Sequence, residues 1–480
     1  MTRHSEGQTS SQFGKKCKSE KHVSFPPDEQ IVSGTSECEK KHHDAERYTL
    51  SEIILAYKQS CEKHQVEPNS KILAQLMEIT NLSNRARCLD LKGERLDYRS
   101  CESLEEILKS VQFDFINLQE ADLEENGATS LLDMILYYES ATHLNVSSNT
   151  TMGISGWQAL SHMIKQSLCL WRLDACNMPI VEYPVQALSK ALLTSRLTVL
   201  HLENSCLSGK PLFTLVGALR KNRTLQELCL ANNDLNSYQD AMQLGELLKY
   251  NSSLRVLDLS NNLISDTGLE EICHGLRGQK AGLRTLVLWN NQITHRGMIH
   301  LEDVLPHLKI LETLNLGGND VKNTGIHALK ESLMINRSIS HLGLVSTGIT
   351  CEGTVTLAEI LAENPKIQRL DLRQNRILTG GLMALSLALK INCSVTKLDL
   401  DQILKEEKER ASAPVSDEDI SVTGTLREDQ LVWWAPLIKR GAVMSKRTGR
   451  RQLLASIPRP GRTGSQEGAS LHGSGHPALE

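Results

Sequence analysis

Four segments of the chain, LRVLDLSNNLI, LRTLVLWNNQI, LETLNLGGNDV and IQRLDLRQNRI, obey one rule, LxxLxLxxNxL, and each is followed by a stretch of helical character. The asparagine of the rule falls at Asn233, Asn262, Asn291, Asn319 and Asn375, with Thr347 in the intervening copy, so the period is 28 or 29 residues. One strand and one helix of that length cannot bury their own apolar faces. The copies must stack, and stacked strand–helix units joined in one direction give a parallel sheet covered on one side by helices. Looser copies extend the series upstream through CLDLKGERL, FINLQEADL, HLNVSSNTT, LDACNMPI and LHLENSCL, and downstream to LDLDQI near Leu400.

The expected fold is therefore α/β: a leucine-rich-repeat solenoid, or horseshoe, with parallel concave strands and convex helices, ribonuclease-inhibitor-like, with disordered termini. Residues 1–45 read as a disordered leader, 46–85 as a helical cap, 86–403 as a repeat domain of about twelve units, 404–412 as a short helical extension and 413–480 as a disordered tail. The cap is expected because a terminal repeat would otherwise leave its apolar side open. YTLSEIILAYKQSCEKHQ and KILAQLMEIT carry apolar residues at helical spacing and supply two short amphipathic helices.

The repeat absorbs most patterns that resemble catalytic chemistry. Asp258, Asp371 and Asp399 form an acidic series, but they occupy one recurring strand position that is expected to be exposed. General acid–base work needs two groups converging on one point, not a row set by stacking. The 16 histidines form no HExxH, and neither a GxSxG elbow nor a GxxxxGK[ST] phosphate loop occurs. No enzyme, metal or cofactor is expected. A formal charge of −4 gives no whole-surface attraction to nucleic acid or anionic lipid. The first twenty residues lack an apolar core for a secretion signal, and no window has eighteen uninterrupted apolar residues. The 12 cysteines never form CxxC, which fits buried reduced thiols in the cytoplasm, with the nucleus as a second compartment.

Asn222, Asn251, Asn336 and Asn392 each begin an Asn-x-Ser/Thr triplet, yet each lies between a helical pattern and the next strand. They read as helix-closing residues in the left-handed conformation, not as glycan acceptors. In the tail, Trp433 and Trp434 precede a basic cluster, Lys439, Arg440, Lys446, Arg447, Arg450 and Arg451. The tryptophan pair calls for a cover, either a partner or a surface of the solenoid.

The leader contains KHVSF, Lys21 to Phe25, in which two large apolar side chains stand two positions apart behind a basic residue. In an extended segment Val23 and Phe25 point the same way and Ser24 points out, so the pair can enter neighbouring pockets while the backbone joins a strand edge. Lys21 can meet acidic groups beside such pockets. Phosphate on Ser24 would place a dianion between the anchors, and Ile31 and Val32 are a second apolar pair able to extend the bound strand. Along the concave face, the position after the second strand leucine runs Ala231, Ser260, Trp289, Gly317, Val345, Arg373 and Asp401. Trp289 and Arg373 are the candidate contacts there.

KHVSFPPDEQIVSG, LDLKGERLDY, YYESATHLN, VLWNNQITHRGM and LRQNRILTGGLMALSLALK together resemble the protein phosphatase 1 regulatory subunit 37 family, leucine-rich-repeat regulators of that phosphatase. The resemblance spans roughly residues 20 to 402 and does not extend to the C-terminal tail. It implies that Lys21, Val23 and Phe25 fill a phosphatase-docking motif, that the partner is the protein phosphatase-1 catalytic subunit, and that binding inhibits it. A further protein on the concave face is an additional expected partner; membrane and nucleic acid are not. Two other classes compete: a repeat scaffold or targeting adaptor without phosphatase inhibition, and a small-GTPase activator, for which fold analogy is the sole support.

Overall fold

A computed structural model of the chain describes residues 48–279 and 282–401. KHVSF with Ser24, Ile31 and Val32, the 404–412 extension and the tail with Trp433 and Trp434 lie outside the described residues.

Twelve strands pair in parallel and in sequence order: β1 Ala86–Asp90, β2 Phe113–Asn117, β3 Ala141–Asn145, β4 Arg172–Asp174, β5 Val199–His201, β6 Glu227–Cys229, β7 Val256–Asp258, β8 Thr285–Val287, β9 Thr313–Asn315, β10 His341–Gly343, β11 Arg369–Asp371 and β12 Lys397–Asp399. Two helices precede them, α1 Leu50–His64 and α2 Ser70–Met77. The others run between the strands: α3 Tyr98–Ser103, α4 Glu105–Ser110, α5 Glu125–Tyr137, α6 Gly153–Gln166, α7 Tyr183–Leu192, α8 Lys210–Leu219, α9 Tyr238–Tyr250, α10 Ser265–Gly278, α11 Met298–Val304, α12 Lys322–Ile335, α13 Cys351–Glu363 and α14 Thr379–Ile391. This is a leucine-rich-repeat solenoid: an open parallel sheet with one helical layer.

The leucine spacing sets the register. Leu228, Leu257 and Leu286 stand opposite one another on β6, β7 and β8, and Leu314, Leu342 and Leu370 continue the row. All six are buried, each burial contributing roughly 1.5–3 kcal/mol. Neighbouring strand residues point the other way, so one sheet face is left for recognition. At the N-terminal end, Thr49 and Glu52 form a reciprocal capping box on α1, which buries Ile53, Tyr57 and Cys61.

Each repeat turns twice, and a column of buried asparagines serves each turn. Where strands lead to helices, Asn262 Nδ2 donates to Leu230 O and Leu259 O, both at 2.9 Å, while its Oδ1 accepts from the Asn233 amide at 2.8 Å. Asn291 and Asn319 repeat the arrangement, each accepting from the amide of the preceding asparagine. Thr347 keeps part of it, donating to Leu344 O at 2.9 Å.

The second column holds Asn222, Asn251, Asn336, Asn364 and Asn392, all buried. Their Nδ2 groups reach back to Leu192, Leu219, Leu305, Leu333 and Leu361, carbonyls in the last turns of the preceding helices, at 2.6–2.7 Å. The expectation of left-handed caps is wrong. Asn251, Asn336 and Asn392 have φ of −83°, −61° and −71° in extended backbone, and Asn222 is likewise absent from the positive-φ residues. The chain must enter the next strand almost at once, so extended backbone suits the position, and the side chain satisfies the helix-end carbonyl. With their amides used in these bonds, the residues are structural.

Helices α9 and α10 meet at Gly245 and Gly275, so closely that a Cβ on Gly275 would lie 2.7 Å from Gly245 Cα. Gly217, in α8, has nothing within 4 Å of an added Cβ. Alanine improves helix propensity by about 1 kcal/mol at either site, so packing decides the sign. Gly275→Ala is expected to destabilise by about 1–3 kcal/mol and Gly217→Ala to stabilise by up to ~1 kcal/mol. Shifts of the urea midpoint in the same direction for both variants would contradict this packing account.

Candidate functional site

The exposed side of the sheet is not uniform. Toward the N-terminal strands, residues 26 to 31 positions apart in sequence become neighbours through the register of β3 to β6. Asp174 on β4 is their centre. His143 Nε2 lies 2.6 Å from Asp174 Oδ2, His201 Nδ1 lies 3.1 Å from Oδ1, and Arg172 Nε donates to Oδ1 at 3.1 Å. His201 Nε2 meets Glu227 Oε1 at 3.0 Å, so both of its ring nitrogens face carboxylates. The His143 ring stacks on Phe115, with centroids 4.1 Å apart and planes 17° from parallel.

Burial works to raise the Asp174 carboxyl, but hydrogen bonds from His143, His201 and Arg172 outweigh it and hold the group well below the usual carboxylate range. The bond to Asp174 raises the His201 imidazole above its ordinary value, against burial and with help from Glu227. This cluster is a fixed polar platform: its charges are spent on one another.

Middle strands present a different surface. Val256, Val287 and Trp289 are half-buried, with Gly317 and Gly343 beside them. The Trp289 ring lies across Gly317 of the next repeat, where a Cβ would overlap Cζ3 and Cε3. Gly317 therefore leaves the space that the indole occupies, and part of the ring stays exposed. Ala231 and Val345, in the same column, are buried.

The last two strands carry alternating charge. Arg373 forms a two-pronged pair with Asp371, Nε–Oδ1 at 2.8 Å and Nη2–Oδ2 at 2.6 Å, and this pairing raises its pKa. Arg369 Nη2 meets Asp399 Oδ2 at 2.9 Å, and Lys397 stands 3.4 Å from Oδ1. Asp371 and Asp399 are buried, which corrects the expectation that the aspartate series is exposed. Neighbouring arginines make that burial tolerable. Asp258 instead accepts from the Ser260 amide and hydroxyl at 2.9 and 2.6 Å. Three strand spacings separate Trp289 from Arg373, about 15 Å, so they mark two ends of a surface and not one pocket.

A leucine-rich-repeat family profile, "Leucine Rich repeat", matches residues 250–273, 307–330 and 363–386. Protein phosphatase 1 regulatory subunit 37 of Bos taurus is 53% identical over 293 residues, covering 61% of this chain and 42% of the relative. The Homo sapiens protein gives the same figures, and the Caenorhabditis elegans homolog is 37% identical over 304 residues, covering 61% and 32%. Over those residues the chain is similar to protein phosphatase 1 regulatory subunit 37 proteins. It spans about two fifths of the length of the mammalian relatives.

These relatives are named as regulatory subunits of a phosphatase. Among the described residues no group of three or more His, Cys, Asp or Glu could hold a metal ion, and no helix is long and apolar enough to cross a membrane. All ten described cysteines are free thiols.

The His143–Asp174–His201 cluster predicts a pH dependence with a definite sign. A raised histidine stabilises the folded state fully below its unfolded pKa, 6.5, and loses that contribution as pH rises through the higher folded value. The lowered Asp174 contributes above its ordinary 3.8 and fails only in stronger acid. Between these limits the cluster is fully formed. The stability advantage of wild type over His201→Gln, from urea titrations, is expected to be largest near pH 5.5 and to shrink toward about pH 8.5. An advantage that grows with pH would contradict the arrangement.

Proposed function

We propose that the chain is a non-catalytic regulatory subunit that binds the protein phosphatase-1 catalytic subunit through KHVSF and inhibits it, with the exposed sheet face as a second protein-binding surface. The observation that carries this reading is 53% identity over 293 residues to proteins named as regulatory subunits of that phosphatase. Lys21, Val23 and Phe25 supply the basic residue and the apolar pair of the docking strand, Ile31 and Val32 extend it, and Ser24 is the position where phosphate would oppose it. The complex is placed in the cytoplasm, with the nucleus as a second compartment.

A short docking strand gives only local contact. Joining it to a second surface in one chain raises the effective concentration of the second contact. Trp289, packed over Gly317 and partly exposed, is the aromatic anchor proposed for that surface, whereas Arg373 enters as one half of its pair with Asp371.

Calorimetric titration with the phosphatase catalytic subunit tests the docking strand. Val23→Ala combined with Phe25→Ala is expected to weaken binding by roughly 30-fold or more, since losing such anchors costs about 2 kcal/mol or more. Wild-type affinity in the double variant removes KHVSF as the anchor. Inhibition assays on a folded protein substrate then test the second surface. Residues 1–45 alone should bind but inhibit weakly, and Trp289→Ala in the full chain should reduce inhibition while the repeats stay folded. Equal inhibition by residues 1–45 would leave the solenoid as a targeting platform.

A further inference from the structure

In the helical layer, α7 and α8 part to form an open groove lined by Ser189, Lys190 and Leu193 of one repeat and Gly217, Ala218 and Lys221 of the next. Gly217 is what opens it. The carbonyls of Leu192 and Leu219 accept from successive asparagines of the turn column, which aligns Lys190 with Gly217. The amides of Asn222 and Asn251, bonded to the carbonyls of Ala218 and Leu247, align Gly217 in turn with Glu246. Both neighbouring repeats therefore carry a long side chain where α8 carries none. A glycine inside a helix costs about 1 kcal/mol relative to alanine, and the fold does not ask for this one. Gly217 is absent from the positive-φ residues, and an added Cβ would meet no atom within 4 Å. Gly245 and Gly275, by contrast, are required by the contact between their helices.

The groove has a definite chemistry. Ser189 is 6% exposed, and its hydroxyl has no hydrogen-bond partner. The Ser161 hydroxyl on α6 is also unpartnered, so that property alone marks no site; at Ser189 it coincides with the opening that Gly217 leaves. Lys190 and Lys221 are exposed, and neither forms an ion pair among the described residues. No acidic residue lines the groove. The carboxylate of the next repeat, Glu246, is taken by Arg220 at 3.4 Å and Lys249 at 3.8 Å. Arg196 and Arg223, in the turns after the two helices, add exposed positive charge. We propose that this groove docks an acidic segment of a partner protein. An Asp or Glu carboxylate of that segment lies between Lys190 and Lys221 and accepts from the Ser189 hydroxyl, and an adjacent apolar side chain fills the space over Gly217 and Ala218 against Leu193. No aromatic ring lines the groove on which a base could stack, which favours a peptide over a nucleic acid. This surface is separate from KHVSF and from the sheet face of Trp289.

Selection of a peptide library displayed on phage against the full chain, followed by fluorescence titration of the enriched peptides, tests it. Enriched peptides are expected to carry Asp or Glu beside Leu, Ile or Phe. Gly217→Met fills the groove with a good helix former. It is expected to weaken these peptides about tenfold or more while its urea midpoint equals or exceeds that of wild type. Ser189→Ala removes one hydrogen bond to a charged group and should cost about tenfold. Lys190→Glu with Lys221→Glu should abolish binding of the acidic peptides. Failure to enrich acidic peptides would overturn the proposal, as would enriched peptides that bind any of these variants as tightly as wild type. A lowered midpoint in Gly217→Met would show that the fold itself requires the glycine and would overturn it as well. Tighter binding of a single-stranded oligonucleotide, lost in the lysine variant, would make nucleic acid the occupant instead.

Discussion

Burying backbone polar groups at the turns is the constraint on which the solenoid depends. Every repeat leaves its strand through one buried turn and its helix through another, and at both the regular hydrogen bonding of the neighbouring element stops. An unpaired buried amide or carbonyl costs about 1–3 kcal/mol, and such a debt repeated along a dozen units would erase the margin of a folded protein. The carboxamide suits both turns because it donates and accepts at once. Asn262 ties its own repeat to the amide of Asn233 and the carbonyl of Leu230. Asn251 ties the start of β7 to the end of α8.

With leucines holding one face and asparagines holding the turns, the side chains on the other sheet face are free to vary. They fall into three blocks: the Asp174 cluster, the apolar and glycine-rich stretch around Trp289, and the paired charges of β11 and β12. In the two charged blocks the groups are largely matched to one another, which makes them rigid. The middle block has an indole packed over a glycine of the next repeat. A rigid aromatic flanked by charge is suited to protein recognition, which is why the proposed second surface centres there.

The repeat and its register were legible because a strict 28- or 29-residue period leaves one solution for the core. Several details were not. Asn251 and Asn392 sit where a helix ends, a position that favours left-handed caps, but their backbone is set by the strand that begins five residues on. Asp399 has the same sequence context as Asp258, and only stacking brings Arg369 beside it. The His143, Asp174, His201 and Glu227 contacts were hidden because they join different repeats; writing the repeats in register would have aligned them in adjacent columns. Gly317 gives no signal alone and becomes meaningful only under Trp289. The proposed docking motif belongs to another category: Lys21, Val23 and Phe25 are read from the sequence alone.

The asparagine columns are tested most directly by native-state hydrogen exchange of Asn262→Ala, resolved to single amides. Removing the carboxamide strips the Asn233 amide of its acceptor at 2.8 Å and the Leu230 carbonyl of its donor at 2.9 Å. The Asn233 and Leu235 amides are expected to exchange about tenfold or more faster, with the effect concentrated in the repeats of β6 to β8 and fading toward β1 and β12. Unchanged exchange at Asn233 and Leu235, with wild-type stability, would contradict the claim that these side chains hold the solenoid together.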